Sequence, residues 1–160
     1  MKLSDWLLHI GKTDMAKVGS SILINKPIEE VFDFTASPIN GPKFIPNLAE
    51  NTNIKPEKPS VGQTFDWHFN MFGVSLRGNA KVTGFERPYK VTIETGGNTK
   101  TTWVYSFEGE SSGTKVSVDV EYELHEDVLR KFVDKVIVDK INQRSAQQML
   151  ENLKTILEGK

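Results

Sequence analysis

The hydrophobic pattern changes its period near residue 125, and this change constrains the fold more than any other feature of the chain. From Gly62 to Leu124, apolar and polar residues alternate, as they do in half-buried β-strands. From His125 onward, apolar residues recur three and four positions apart, which is the spacing of an amphipathic helix. We therefore predict a run of strands followed by one long helix, with the apolar face of the sheet packed against that helix.

The alternating region divides into five predicted strands. Turns at Gly73, Gly96–Gly97 and Ser112–Gly113 separate them, and Pro88 opens the third strand. Strands that are joined by short turns pair in an antiparallel meander. The sequence therefore predicts an α+β fold whose sheet is built mainly from neighbours in the chain.

A further strand and two short helices precede the meander. Alternation from Val18 to Ile24 predicts the opening strand, and Pro27 ends it. The segment Ile28–Phe34 predicts a helix that begins directly after this proline. The segment Phe44–Pro46, which lies among prolines and a glycine, predicts a second short helix or a turn.

The two ends of the chain differ in their predicted packing. The apolar stripe predicts a helix over residues 126–158, nearly 50 Å long at about 1.5 Å per residue. A helix of that length needs a broad apolar surface, which the concave face of a curved sheet supplies. Residues 1–17 stand outside the pattern as an appendage, either a short amphipathic helix or a frayed terminus, so the predicted domain covers residues 18–160.

Composition and charge exclude several classes of partner. Lys and Arg total 20 against 21 Asp and Glu, and the formal net charge of -1 gives too weak a field to attract nucleic acid. No apolar run approaches the roughly 20 residues of a membrane-spanning helix. The chain has no cysteine, which excludes disulfides and thiol chemistry and favours a cytoplasmic location. The oligomeric state stays open.

No constellation of side chains indicates metal or acid–base chemistry. His9, His68 and His125 are far apart and form no metal-binding motif, so neither a metal nor another cofactor is predicted. The acidic residues of the last strand, Glu123 among them, fall on its outward phase, where solvated side chains are expected. Ser75 and the other strand serines have no histidine in a recognisable arrangement. No catalytic residue is assigned.

Short motifs along the chain carry a resemblance to a known superfamily. They are Ile24 with the run Pro27–Phe32 and Phe34, then Ser37–Pro38, Lys43–Pro46, Gly62 with Phe65 and Trp67, Gly78 with Val82, Arg87–Pro88 and Gly113–Val116. In this order they resemble the START-like superfamily, also called SRPBCC or helix-grip, and most of all its polyketide cyclase and lipid transport branch. The resemblance implies a curved antiparallel sheet of about seven strands wrapped around the C-terminal helix, with two short helices after the first strand. It transfers no catalytic residue.

The resemblance also implies an apolar cavity between sheet and helix. The candidate ligand-binding residues are Phe65, Trp67, Phe69, Leu76, Ile93, Trp103, Tyr105, Tyr122, Phe132, Val136 and Ile137. Phe44, Ile45 and Pro46 form a possible lid. For each single aromatic residue, ordinary core packing is the competing interpretation.

Three functions fit this pattern, and the first is favoured. It is the binding or transport of a small hydrophobic ligand such as a lipid, a quinone or a polyketide-like molecule. The alternative is a polyketide cyclase or dehydratase, in which Tyr105 or Tyr122 donates a proton to a carbonyl. The third is an interaction module with a filled core. Because few inward polar side chains are expected, the indoles of Trp67 and Trp103 and the two tyrosine hydroxyls are predicted to point into the cavity, toward a guest.

Overall fold

Within the part of the chain that the structure describes, seven strands form one antiparallel, curved sheet with the order β1-β7-β6-β5-β4-β3-β2. The computed structural model describes residues 15–71, 73–97, 100–123 and 135–159. The strands are β1 (Met15–Ile24), β2 (Leu48–Lys55), β3 (Thr64–Met71), β4 (Val74–Glu86), β5 (Lys90–Gly97), β6 (Thr101–Glu110) and β7 (Gly113–Glu123). The five strands from β3 to β7 follow one another as neighbours, so the predicted meander is confirmed.

Helices lie between β1 and β2 and after β7. They are α1 (Ile28–Ala36), a 3-10 helix (Pro38–Asn40), α2 (Gly41–Phe44) and α3 (Lys135–Leu157). α1 begins after Pro27 and carries Glu29 and Glu30 in its first turn, where the helix dipole favours negative charge. Its apolar side buries Val31 and Phe32. Together with the sheet order, these helices confirm the α+β helix-grip fold.

β1 lies at one edge of the sheet and pairs with β7, the last of these strands in the chain. The register runs from Met15 opposite Glu123 to Ile24 opposite Thr114. β1 therefore begins three residues before the predicted start at Val18. Residues 1–14 of the predicted appendage lie outside the described part of the chain.

β2 is a strand that the alternation did not locate. Within it, Leu48 is buried and most other side chains are exposed. Its pairing with β3 shifts register between Leu48 and Glu50 and again between Thr52 and Lys55. Each such irregularity interrupts the two-residue period, so the hydrophobic pattern of an edge strand like this one is lost.

α3 crosses the sheet on the side of β1, and its 23 residues span about 35 Å. The predicted beginning at residue 126 lies outside the described residues. Several hydrogen bonds hold the helix, among them those from Gln143 Nε2 to Gly19 O (2.6 Å), from Lys154 Nζ to Leu23 O (2.8 Å) and from Asn152 Nδ2 to Phe44 O (3.1 Å). The last of these ties α3 to α2, so both helices are positioned over the same end of the sheet.

An ion pair fixes α1 to the turn between β4 and β5. Nε and one terminal nitrogen of Arg87 donate to the two carboxylate oxygens of Asp33, each at 2.8 Å. These hydrogen bonds, together with the charge of Arg87, lower the pKa of Asp33 below its usual value. The pair is half-exposed, and solvent therefore limits its contribution to stability.

Candidate ligand-binding cavity

A cavity of about 210 Å³ lies between the concave face of the sheet, α3 and the segment from α1 to β2. The helix contributes Asn142, Ser145, Ala146 and Met149 to its wall. Most of the other residues of the wall lie on the sheet, and the majority of those are apolar or aromatic; the rest lie between Thr35 and Asn47. Its wall includes residues of the large hydrophobic core and of a smaller cluster formed by Leu48, Phe65, Trp67 and Ala80.

Small residues of β4 leave room for aromatic rings on this face. Ala80 pairs with Phe65, and Gly78 pairs with Trp67. A Cβ atom on Gly78 would lie 2.4 Å from the Trp67 ring and 2.0 Å from the carbonyl oxygen of Gly96. The indole therefore lies against the bare backbone of β4, and this position requires glycine because any side chain would collide with it.

Eleven of the fourteen predicted site residues line the cavity. They are Phe44, Ile45, Pro46, Phe65, Trp67, Phe69, Leu76, Ile93, Trp103, Tyr105 and Tyr122. Phe132 lies outside the described residues, and for Val136 and Ile137 the structure describes the helical backbone alone. Strand phase placed the sheet residues on one face, but it did not identify the polar positions Thr35, Asn51, Thr101, Asn142 and Ser145, which also line the wall.

The two indole N–H groups have partners within the protein. Trp67 Nε1 donates to the backbone oxygen of Asn79 at 2.9 Å. Trp103 Nε1 donates to the hydroxyl of Thr101 at 2.7 Å. Both indoles line the cavity, but the hypothesis that their N–H groups bind the polar end of a guest is wrong, because each N–H already has a partner within the protein.

Two threonines replace the tryptophans as polar groups of the wall. Thr95 and Thr101 are directly opposite each other on β5 and β6, and their hydroxyl oxygens are 2.5 Å apart. The backbone N–H of Thr101 also donates to Thr95 Oγ1, at 3.0 Å. The expectation that few polar side chains point inward is wrong for this pair of threonines. A signal was available, since Thr101 precedes Trp103 by two residues and so shares its face.

Tyr105 is the most deeply buried of the tyrosines in the wall, with 2% of its surface exposed. Its hydroxyl donates to Met149 Sδ at 3.6 Å. Burial raises the pKa of Tyr105 far above its usual value, so the phenol stays neutral. Tyr122, on β7, is also buried.

The predicted lid segment forms part of the wall, and Phe44 connects it to α3. Phe44 is buried and its ring centroid lies 6.2 Å from that of Phe34. Its backbone oxygen accepts the hydrogen bond from Asn152. Ile45 and Pro46 continue the wall toward β2. Movement of this segment as a lid stays a prediction.

A histidine and a serine meet on the opposite face of the sheet. His68 Nε2 lies 2.7 Å from Ser75 Oγ, so the expectation that the strand serines lack a histidine is wrong for Ser75. The pair forms because the turn at Gly73 brings β4 back along β3. Glu50 lies 4.0 Å from His68 Nδ1, which is too far for a hydrogen bond that would orient the ring. Within the described residues, no three histidine or acidic side chains are grouped to hold a metal ion.

The chain matches a known protein family over nearly its whole length. The family is described as "Polyketide cyclase / dehydrase and lipid transport", and its model matches residues 15–158. The chain belongs to this family. This description names both an enzymatic activity and a carrier activity. The residues of the cavity therefore have to indicate which of the two activities is the better proposal for this chain. No match is found among curated protein sequences.

Solved structures share the family's fold at low sequence identity. A Thermus thermophilus protein is 17% identical with a TM-score of 0.72, and the match covers 87% of this chain and 94% of that one. The di-domain ARO/CYC protein StfQ from the steffimycin biosynthetic pathway is 12% identical with a TM-score of 0.71, and the match covers 91% of this chain and 51% of that one. A Bacillus halodurans protein is 18% identical with a TM-score of 0.67, and the match covers 90% of this chain and 98% of that one. These likenesses establish the fold alone.

The family description includes lipid transport, which raises the question of how this chain relates to a membrane. Among the described helices, none is both long enough and apolar enough to cross one.

Proposed function

We propose that this protein binds a small hydrophobic molecule in the cavity and carries or presents it without converting it. The observation that supports the proposal is the cavity of about 210 Å³ with its largely aromatic and aliphatic wall. An apolar cavity of about 150 Å³ is enough for benzene, and pockets for drug-sized ligands begin near 300 Å³. The space therefore suits a guest of about one or two rings, or a short lipid-like or quinone-like group.

Removal of the guest from water supplies the binding free energy. A guest of this size buries on the order of 300 Å² of apolar surface, which contributes about 7 kcal/mol at roughly 25 cal/mol per Å² before ordering costs are subtracted. Aromatic rings such as Trp103 and Tyr105, whose centroids are 6.3 Å apart, provide a flat and rigid surface for that contact.

The chemistry of the wall favours a carrier over a cyclase. A general acid works best when its pKa lies near the working pH. Burial raises the pKa of Tyr105 and so moves it further from neutral pH, and the Tyr105 hydroxyl already contacts Met149. Among the described residues of the wall, Glu123 at the end of β7 is the one acidic residue. The wall thus offers contact area in abundance and few groups poised for proton transfer.

Native mass spectrometry of the freshly purified protein, followed by organic extraction, tests the proposal directly. We expect one consistent bound mass that stays chemically unchanged on incubation. Conversion of that molecule would instead support the cyclase or dehydratase function.

Variants then locate the binding. Trp103→Ala removes a ring from the wall, so equilibrium dialysis should show naphthalene binding weakened about fivefold or more, which is on the order of 1 kcal/mol. Tyr89→Ala is the control, because Tyr89 is an aromatic residue that is 63% exposed and does not line the cavity. Equal affinities for the wild type and Trp103→Ala would contradict binding at this site.

A further inference from the structure

One row of inward side chains crosses six strands beneath the cavity. It runs through Phe65, Ala80, Thr95, Thr101 and Tyr122 to Ala16. Phe65, Thr95, Thr101 and Tyr122 of this row line the cavity. The two threonines therefore place polar side chains in a wall that is otherwise largely apolar.

The hydrogen bonds of Thr101 can be counted. A hydroxyl group has one hydrogen to donate and two lone pairs that accept. Trp103 Nε1–H occupies one lone pair of Thr101. The contact with Thr95 Oγ1 uses a second position, and either oxygen can be its donor. One position on Thr101 Oγ1 is then left over, since no third partner for it exists among the described residues.

The nature of the remaining position depends on the direction of the Thr95–Thr101 hydrogen bond. If Thr95 donates, the hydrogen of Thr101 is left, and if Thr101 donates, a lone pair is left. A carbonyl guest can use the first arrangement but not the second. A hydroxyl guest matches both, because a hydroxyl group donates and accepts.

We propose that the guest is a small ring-bearing alcohol or phenol whose hydroxyl group binds Thr101 while its rings lie in the apolar part of the cavity. This inference rests on the proposed function and names the class of its ligand. It assigns Thr101 as the residue that fixes the guest's orientation.

Other polar groups of the wall are less suited to this role. Thr35 Oγ1 donates to Val31 O at 2.7 Å, and Asn51 Nδ2 donates to Pro38 O at 2.8 Å. The second polar atom of Asn51, Oδ1, is buried with no partner and less than 1 Å² of exposed surface, so a guest cannot reach it. Asn142 and Ser145 have side chains that no hydrogen bond fixes among the described residues, and a guest would have to order them. Thr101 is held by Thr95 and Trp103 before the guest binds.

The test compares two probes of equal ring size, naphthalene and 2-naphthol. Their dissociation constants are measured by equilibrium dialysis, and the ratio of the two isolates the hydroxyl group. Loss of the Thr101 hydroxyl would leave the Trp103 N–H free to bind naphthol, so all variants carry Trp103→Phe. In that background, Thr101→Val should reduce the preference for naphthol about three- to tenfold, which is the effect of one hydrogen bond. Thr101→Ser should retain the preference, which also shows that the site still folds.

Thr102→Val is the matched control, since it removes a hydroxyl from the same strand at the neighbouring position, which does not line the cavity. The inference is overturned, with the proposed function intact, if naphthalene binds and Thr101→Val leaves the ratio unchanged. It is overturned equally if Thr102→Val changes the ratio as much as Thr101→Val does. If neither probe binds to the wild type, the proposed function fails and the inference fails with it.

Discussion

Substitution of Gly78 by alanine should destabilise the protein and disturb the cavity at once. The added Cβ would lie 2.0 Å from Gly96 O and 2.4 Å from the Trp67 ring, whereas ordinary contacts begin near 3.4 Å. Both the backbone of β5 and the indole have to move by about 1 Å, and the hydrogen bond from Trp67 to Asn79 O is strained as a result. Overpacking of this kind costs about 3 kcal/mol, or about 6–12 °C in Tm for a chain of this size.

Urea unfolding followed by tryptophan fluorescence measures this loss, and naphthalene dialysis reports the shape of the cavity. The control is Gly109→Ala on β6, where a Cβ would meet no atom within 4 Å. That substitution should change the free energy of unfolding by less than about 0.5 kcal/mol. If Gly78→Ala were as stable as Gly109→Ala, the close approach of Trp67 to β4 would not be the reason for glycine at this position.

Two further predictions concern α3 and Tyr105. Leu153→Ala should lower the free energy of unfolding by about 3 kcal/mol, because Leu153 is fully buried. Ile156→Ala on the same helix should lower it by at most about 1 kcal/mol, because Ile156 is 38% exposed. Equal losses in urea unfolding would contradict the described packing of the helix. Burial raises the pKa of Tyr105, so its neutral form stabilises the fold below about pH 10, and this contribution falls by about 1.4 kcal/mol per pH unit above that value. The wild type should therefore lose more stability than Tyr105→Phe between pH 9 and pH 11, and parallel losses in the two proteins would refute this.

The meander and the cavity face could be predicted because strand phase alone determines which side chains point inward. Phe65, Trp67 and Phe69 alternate with polar residues, and this information is local to β3. β2 was missed because its bulged pairing with β3 leaves Leu48 as the single buried side chain of the strand. A period cannot be recognised from one buried residue.

The partners of the aromatic side chains could not be predicted from phase. The N–H of Trp67 reaches Asn79 O only because Gly78 allows the ring to lie on β4, and that contact depends on the register between two strands. The Thr101–Trp103 hydrogen bond is different, since both residues lie on one face of one strand. Local sequence contained that contact, and a search for polar residues two positions from each inward tryptophan would have found it.

The pairing of β1 with β7 has a consequence for how the protein folds during synthesis. β1 precedes the other strands in the chain, yet its partners are Thr114–Glu123, about a hundred residues later. During translation β1 has no partner strand until about a hundred further residues have been made. Contacts between such distant residues slow folding, because a long loop has to close before they form. The strand against which α3 packs is therefore among the last to be fixed in place.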